Sequence, residues 1–309
     1  MPAPLLRIGT RGSPLALWQA NTVRDGLVAA LGGDPDTVEI VVIKTTGDVI
    51  QDRPLSEAGG KGLFVKEIDE ALLGGRVDLA VHSAKDLPTD LAEGTGLAAV
   101  LPRADVRDAL IGGSAATLDA LPQGAVVGTA SLRRGALVRR RRPDLKVVPF
   151  RGNVQTRLDK LSAGMVDATL LALAGLSRLG LAAHATEILP EDDFPPALGQ
   201  GAVAVTARVG DERTREALGG LDCVATAAAL ACERAFLKIL DGSCRTPIAG
   251  LARVEGDALA FRGLVLSEDG ARTVEGEIRG GATDAERLGA EAGRDVRART
   301  PADLLAAFG

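Results

Sequence analysis

The chain alternates short apolar runs with stretches of helical period, the pattern of strands followed by amphipathic helices. Residues 5–10 read as a buried strand, and Ser13-Pro14 marks a helix start, a hydroxyl N-cap with proline at the first helical position. That helix continues through Leu15, Leu17, Trp18 and Val23 towards Leu31. Further strands are predicted at 38–44, 77–81 and 97–101, and Phe64, Ile68, Ala71 and Leu72 form a helical stripe stopped by Gly74-Gly75. From about Asp105 the pattern restarts, with strands at 126–129, 146–150 and 168–172. Helices open after Ala130 and at Asn153, a plausible N-cap.

A faint echo links the two halves. Glu70-Ala-Leu-Leu-Gly-Gly-Arg-Val-Asp78 compares with Asp159-Lys-Leu-Ser-Ala-Gly-Met-Val-Asp167: a helix ends in Gly, then x-Val-Asp leads into a strand. Two similar alternating α/β domains would produce this echo. Phe194-Pro195-Pro196 interrupts the pattern, and a strand follows at 203–207. A long Ala-rich helix is expected at 223–240, with Cys223 and Cys232 inside it as buried structural thiols. Strand patterns at 248–254, 259–266 and 273–278 read as a meander, and helices begin at Ala285 and Pro301. This last region reads as an α+β third domain.

The totals narrow the class. A chain of 309 residues, 46% hydrophobic and 25% charged, holds two or three domains of ordinary soluble composition. No apolar run reaches the length of a membrane span, and the N-terminus lacks the basic and apolar segments of a secretory signal. Three cysteines without Cys-x-x-Cys argue against a disulfide framework or a zinc site and for a reducing, cytoplasmic setting. The net charge is −5, yet 29 Arg stand against 7 Lys, and arginine is the side chain that grips carboxylates in pairs. With 2% aromatics and no Tyr, base-stacking surfaces are poorly supplied.

Cations gather where strands pass into helices: Arg11 with Ser13, Lys85, Arg133 and Arg134, and Arg151 with Arg157 one turn on. Ligands of open α/β sheets bind beyond the carboxyl ends of the strands, where helix N-termini also attract anions. One such arginine is an ordinary solvated charge. A set of them in two similar domains predicts a cleft for a ligand rich in carboxylates or phosphates. Asp86 is an acid among these cations, either a turn residue paired with Lys85 or a carboxylate that stabilises a cationic intermediate and moves a proton. Cys244 lies on a loop, in Asp241-Gly-Ser-Cys-Arg-Thr-Pro247, beside Arg245, which favours the thiolate; an incidental surface cysteine is the alternative.

Other patterns fail. Gly59-Gly-Lys-Gly62 lacks both the Ser or Thr and the spaced Gly of a phosphate loop, so 45–62 reads as a mobile lid. The histidines, His82 and His184, have no metal spacing, and adjacent His82 and Ser83 would point to opposite faces of a strand. The run Arg139 to Arg142 reads as a solvated helix end.

Taken together, eight ordered motifs resemble the porphobilinogen deaminase family over essentially the whole chain. They are Ile8-Gly-Thr-Arg-Gly-Ser-Pro-Leu-Ala-Leu-Trp-Gln19, Lys44-Thr-Thr-Gly-Asp48, Gly59-Gly-Lys-Gly-Leu-Phe-Val-Lys-Glu67, Ala80-Val-His-Ser-Ala-Lys-Asp86, Gly128-Thr-Ala-Ser-Leu-Arg-Arg134, Arg151-Gly-Asn-Val154, Gly199-Gln-Gly-Ala202 and Glu233-Arg-Ala-Phe-Leu-Lys-Ile-Leu-Asp-Gly-Ser-Cys-Arg-Thr-Pro-Ile248. Gly12 and Ala84 depart from the residues common there, which touches only loop detail.

The resemblance implies an α/β fold of two periplasmic-binding-protein-like doubly wound domains plus a smaller α+β C-terminal domain. The domains would span 1–101 with 200–219, 105–195, and 223–309, the last carrying the cofactor. Cys244 would hold a dipyrromethane through a thioether, and four porphobilinogens would be added in turn, each losing ammonia, before hydrolysis releases hydroxymethylbilane for haem and other tetrapyrrole biosynthesis. Asp86 would be catalytic. Ser13, Lys85, Asp86, Ser131, Arg133 and Arg134 would bind the cofactor, and Arg11, Arg151, Arg157, Lys61 and Gln200 the substrate and growing oligopyrrole. No metal, nucleic acid or membrane would take part, and the enzyme would be a cytoplasmic monomer. Two rival readings are an anion-binding module without catalysis, which leaves Cys244 and Asp86 unexplained, and, more distantly, a nucleic-acid binder, which would show a steep salt dependence.

Overall fold

The computed structural model describes residues 6–49, 65–113, 115–241 and 246–306. Lys61, Cys244 and all but the first residues of the expected lid lie outside them. In chain order the strands are β1 Leu6–Thr10, β2 Val38–Val42, β3 Leu79–Ser83, β4 Thr95–Val100, β5 Asp108–Gly112, β6 Val126–Gly128 and β7 Lys146–Val148. There follow β8 Ala168–Ala172, β9 Glu187–Ile188, β10 Val203–Arg208, β11 Ile248–Glu255, β12 Ala258–Leu266 and β13 Thr273–Gly281.

Two five-stranded sheets share one plan. The first has the order β2-β1-β3-β10-β4 and the second β7-β6-β8-β5-β9. In each, three neighbouring strands are parallel (β2, β1, β3 and β7, β6, β8), and a fourth, β10 or β5, runs antiparallel to both its neighbours. The sequence echo has a physical basis here. Asp78 and Asp167 each donate a backbone N–H to the preceding sheet strand, to the carbonyls of Arg7 and Val126 at 2.8 Å. Their carboxylates accept the N–H of those same two residues, at 2.9 and 2.7 Å.

Both sheets are covered on both faces, as doubly wound sheets must be. Leu79 and Val81 of β3 pack with Ala20, Val23 and Leu27 of the helix Pro14–Ala30, while Ala80 between them packs with Ile68, Ala71 and Leu72 of the helix Lys66–Leu73. In the second sheet Leu110, Ala168 and Leu170 meet Ala136 and Leu137 of the helix Leu132–Arg141. Ala109, Ile111 and Leu171 meet Leu158 and Leu176 on the other face. Burial on both faces also explains why β5 escapes the sequence pattern: a five-residue strand without a polar face shows no alternation.

The predicted caps are present. Ser13 and Asn153 accept the N–H of Ala16 and Thr156, at 3.3 and 2.9 Å, and Pro14 opens its helix. Gly152, between Arg151 and that N-cap, has φ +128°, and a Cβ there would stand 2.7 Å from Thr156. Only glycine suits that bend.

The chain forms two compact units, Met1–Arg103 with Ala202–Ala227, and Ala104–Gly201 with Ala228–Gly309. The second contains the antiparallel meander β11-β12-β13. Leu259, Phe261 and Val265 of β12 pack on Phe236, Leu288 and Val296 of the helices Val224–Ile239 and Ala285–Arg299. Leu264, Leu266 and Ala249 face the other way, into the core around Leu137. Arg139 to Arg142 therefore do more than meet solvent. Arg139 donates to the Glu268 carbonyl at 2.9 Å, Arg140 to Thr273, and Arg141 and Arg142 pair with Asp119 and Asp144. Cys232 is buried as expected, whereas Cys223 stands half-buried just ahead of its helix, its sulfur accepting from the Thr226 hydroxyl at 3.2 Å. No helix of the described residues is long and apolar enough to cross a membrane.

Candidate active site

In the first unit the site grows out of the end of β3. After Ser83 the chain makes a single 3-10 turn, Ala84–Asp86, closed by the Leu87 N–H on the Ala84 carbonyl and tied to the strand beside it by the Ala84 N–H on the Ala202 carbonyl at 3.0 Å. This turn brings Asp86 to a cavity of about 60 Å³ lined by Arg11, Ser13, Gln19, His82 and Ser83 among others. Arg11 and Ser13 follow β1 directly, so both strand ends supply the cavity. Asp86 is exposed, and among the described residues its carboxylate has no hydrogen-bond or ion-pair partner; Lys85 beside it is half-buried.

Gln19, which sequence reasoning left as a helix residue, is buried and donates its amide to the Ser83 hydroxyl at 2.9 Å. His82 and Ser83 do diverge along the strand. The His82 Nε2 lies 3.2 Å from the Thr206 hydroxyl on β10, away from any triad geometry. Burial, with the Arg11 charge adding to it, lowers the His82 pKa to about 4. The fold therefore prefers neutral His82. That preference contributes fully above pH 6.5 and is lost as pH falls towards 4, about 3 kcal/mol in all. Asp69, raised to about 6 by desolvation, acts in the opposite sense over part of that range. Urea titrations at pH 7 and 4.5 are expected to show wild type losing about 2 kcal/mol more than His82→Gln; equal losses would contradict a neutral His82.

In the second unit the cations collect around one acid. Ser131 caps the helix Leu132–Arg141 by accepting the Arg134 N–H. Arg133 and Arg134 are 3% and 6% exposed and both pair with Asp108, which is fully buried at the start of β5. Burial would raise the Asp108 carboxyl, but the two guanidinium groups hold it well below the usual carboxylate range. Arg133 also donates to the Pro195 carbonyl at 2.7 Å and Arg134 to that of Leu170 at 3.0 Å. Gln200 is buried, its amide donating to Asp108 at 2.9 Å and to the Val106 carbonyl at 2.8 Å.

Arg157 donates Nε–H to the Gly152 carbonyl at 2.9 Å, and Arg151, half-buried, follows β7. Burial, with the charges of Arg134 and Arg151, pulls the Arg157 pKa down to about 10. Arg178, at the end of the short helix Leu173–Arg178 after β8, is a further half-buried cation that the sequence did not single out; it donates to the Gly201 carbonyl at 2.7 Å. Asp108 was missed as well, because nothing in an apolar five-residue run marks its first residue as an ion-pair partner.

Both groups of residues lie at the carboxyl ends of parallel strands, where a doubly wound sheet binds its ligand. An acid with no partner among the described residues, set beside cations in one unit, and an excess of buried arginine in the other are the features of a protein that handles anionic ligands. A family model described as "Porphobilinogen deaminase, dipyromethane cofactor binding domain" matches residues 6–216, and one described as "Porphobilinogen deaminase, C-terminal domain" matches 227–298. The chain belongs to the porphobilinogen deaminase family. It is 56% and 55% identical to the porphobilinogen deaminases of Nitrobacter hamburgensis and Nitrobacter winogradskyi, over 98% of this chain and 96% of each relative. Among solved structures it is similar to the methionine binding protein MetQ, at 14% identity and TM-score 0.45 over 70% of this chain and 87% of that one. Another is the periplasmic VFT2 domain of Bordetella pertussis BvgS, at 18% identity and TM-score 0.41 over 71% and 87%.

The family makes the chain a transferase with a dipyrromethane cofactor. The residues fit a group that bears carboxylates: Arg133 Nε is buried without a hydrogen-bond partner among the described residues, and an arriving carboxylate would relieve the mutual repulsion of Arg134, Arg151 and Arg157.

Proposed function

We propose that this chain condenses four porphobilinogens, with loss of ammonia from each, on a dipyrromethane anchored at Cys244, and then releases hydroxymethylbilane by hydrolysis. The observation that carries the reading is Asp86: a carboxylate with no partner among the described residues, on a tight turn, in a cavity shared with Arg11 and Ser13. Breaking the aminomethyl C–N bond of porphobilinogen releases ammonia and leaves a cationic methylene-pyrrole. Asp86 accepts the pyrrole N–H, stabilises that cation, and assists the proton that leaves when the new C–C bond forms. When bound, the dipyrromethane supplies the nucleophilic pyrrole carbon for the first addition.

Each added ring brings an acetate and a propionate. Arg11, Ser13 and Lys85 in the first unit, and Ser131, Arg133, Arg134, Arg151 and Arg157 in the second, bind these carboxylates, by charge-assisted hydrogen bonds where the donor is a cation. Lys61, outside the described residues, adds a further cation for the growing chain. Gln200, whose amide is committed to Asp108 and Val106, acts on the site through Asp108. In this reading the chain has three functional domains, 1–101 with 200–219, 105–195, and 223–309, and works as a cytoplasmic monomer. The test is turnover. Purified protein given porphobilinogen is expected to release one ammonia per molecule consumed and to form a four-ring product. Consumption no faster than in buffer, after prolonged preincubation with porphobilinogen, would rule the reading out.

A further inference from the structure

The second unit places a single carboxylate at the centre of its cations. We propose that Asp108 is a positioning residue for the reaction: it fixes the direction in which Arg133 and Arg134 present their remaining N–H groups to the carboxylates of the bound pyrrole chain, and Gln200 holds it in turn. The proposal rests on the reading of both arginines as carboxylate-binding residues.

The geometry is specific. Asp108 stands opposite Ala172, at the carboxyl end of β8, the same end of the sheet as the Ser131 cap. Its Oδ2 accepts from Arg133 Nη2 at 2.7 Å. Its Oδ1 accepts from Arg134 Nε and Nη2, at 3.1 and 2.6 Å, and from Gln200 Nε2 at 2.9 Å. Three of these donors converge on Oδ1 and one on Oδ2. The guanidinium planes are thereby locked, because each is also held from a second side by the Pro195 or the Leu170 carbonyl.

Neither arginine is exhausted by these contacts. A guanidinium carries about five N–H donors. Arg133 makes two of these bonds and Arg134 three, and Arg133 Nε has no partner among the described residues. Charge tells the same story. One acid against two buried arginines leaves an excess of positive charge, to which Arg151 and Arg157 add. An arriving carboxylate would bring this cluster closer to neutrality. Removing Asp108 changes both the aim of the donors and the charge the ligand meets.

The test compares Asp108→Asn and Asp108→Glu with wild type, each assayed well below its own melting temperature. Asp108→Asn is expected to melt earlier and to show kcat/KM for porphobilinogen lowered about 10- to 100-fold, most of it in KM. Asp108→Glu keeps the charge but shifts it by a methylene; it is expected to regain most of the melting temperature while KM stays raised. A merely structural role predicts the opposite, normal KM in whatever fraction is folded. A cooperatively folded Asp108→Asn or Asp108→Glu with KM within about twofold of wild type would overturn the proposal. Where neither variant melts cooperatively, Gln200→Met decides, since it leaves both ion pairs in place. KM is then expected to rise about threefold with little change in melting, and an unchanged KM overturns the proposal. Wild type that fails to turn over porphobilinogen would instead sink the parent reading.

Discussion

Asp86→Asn is expected to lower kcat for porphobilinogen about a thousandfold while the protein melts at the wild-type temperature. The two halves of that result have separate causes. Asn matches Asp in size and can still accept a hydrogen bond from a pyrrole N–H, so binding changes little. It carries no charge and takes up no proton at neutral pH, so the cation formed on loss of ammonia loses its counter-charge and its proton acceptor together. Stability is spared because the Asp86 carboxylate is exposed and has no partner among the described residues. The turn itself is held by backbone bonds, from Leu87 to Ala84 and from Ala84 to Ala202, that Asn leaves untouched. Asp86→Glu keeps the charge and moves it by one methylene, and is expected to recover part of kcat. Steady-state kinetics beside a thermal melt separates these effects. A drop in kcat that merely tracks a drop in melting temperature would assign Asp86 to the fold instead.

The elements that position this site were legible where one residue type decides the local structure. Ser13-Pro14 and Asn153 marked helix starts because a cap satisfies otherwise unpaired N–H groups, and both caps are in place. The repeated x-Val-Asp was legible as an echo, though its reason, a carboxylate accepting from the preceding sheet strand, needs the pairing of strands far apart in sequence. What the pattern could not show follows from long-range packing. The strand β5 is buried on both faces, so it has no alternation to read, and with it Asp108 was lost. The pair Arg133-Arg134 was visible as two cations at a junction, but their burial depends on a carboxylate that lies 25 and 26 positions away in sequence. Arg139 to Arg142 looked like a solvated helix end. Arg139 and Arg140 instead donate to the Glu268 carbonyl and the Thr273 hydroxyl, because the meander docks against that helix through Leu264 and Leu266, and Arg141 and Arg142 pair with Asp119 and Asp144.

Cys244→Ser is expected to remove the covalent cofactor altogether and with it all turnover, the largest single effect of any substitution in this chain. Cys244 lies outside the described residues, but its chemistry and the residues that flank it bear on the outcome. Arg245 favours the thiolate, and a serine hydroxyl has no comparable anionic form near neutral pH. The chain entering this segment is fixed: Asp241, at φ +53°, pairs its carboxylate with Arg297 at 2.8 Å, and the same guanidinium holds the Ile239 carbonyl at 2.6 Å. The chain leaving it is fixed too, with Thr246 buried and the Pro247 carbonyl accepting from Leu266 at 2.9 Å. The other cysteines do not compete. Burial, with Glu233 beside it, pushes the Cys232 thiol up to about 12, and Cys223 sits half-buried against Thr226. The measurement is intact mass. Wild type is expected to exceed its sequence mass by one dipyrromethane, Cys223→Ser to keep that excess, and Cys244→Ser to lose it even after incubation with porphobilinogen. An excess that survives in Cys244→Ser would move the anchor elsewhere. A wild-type mass without any excess, before and after incubation, would leave the cationic residues of both units binding a ligand they do not build.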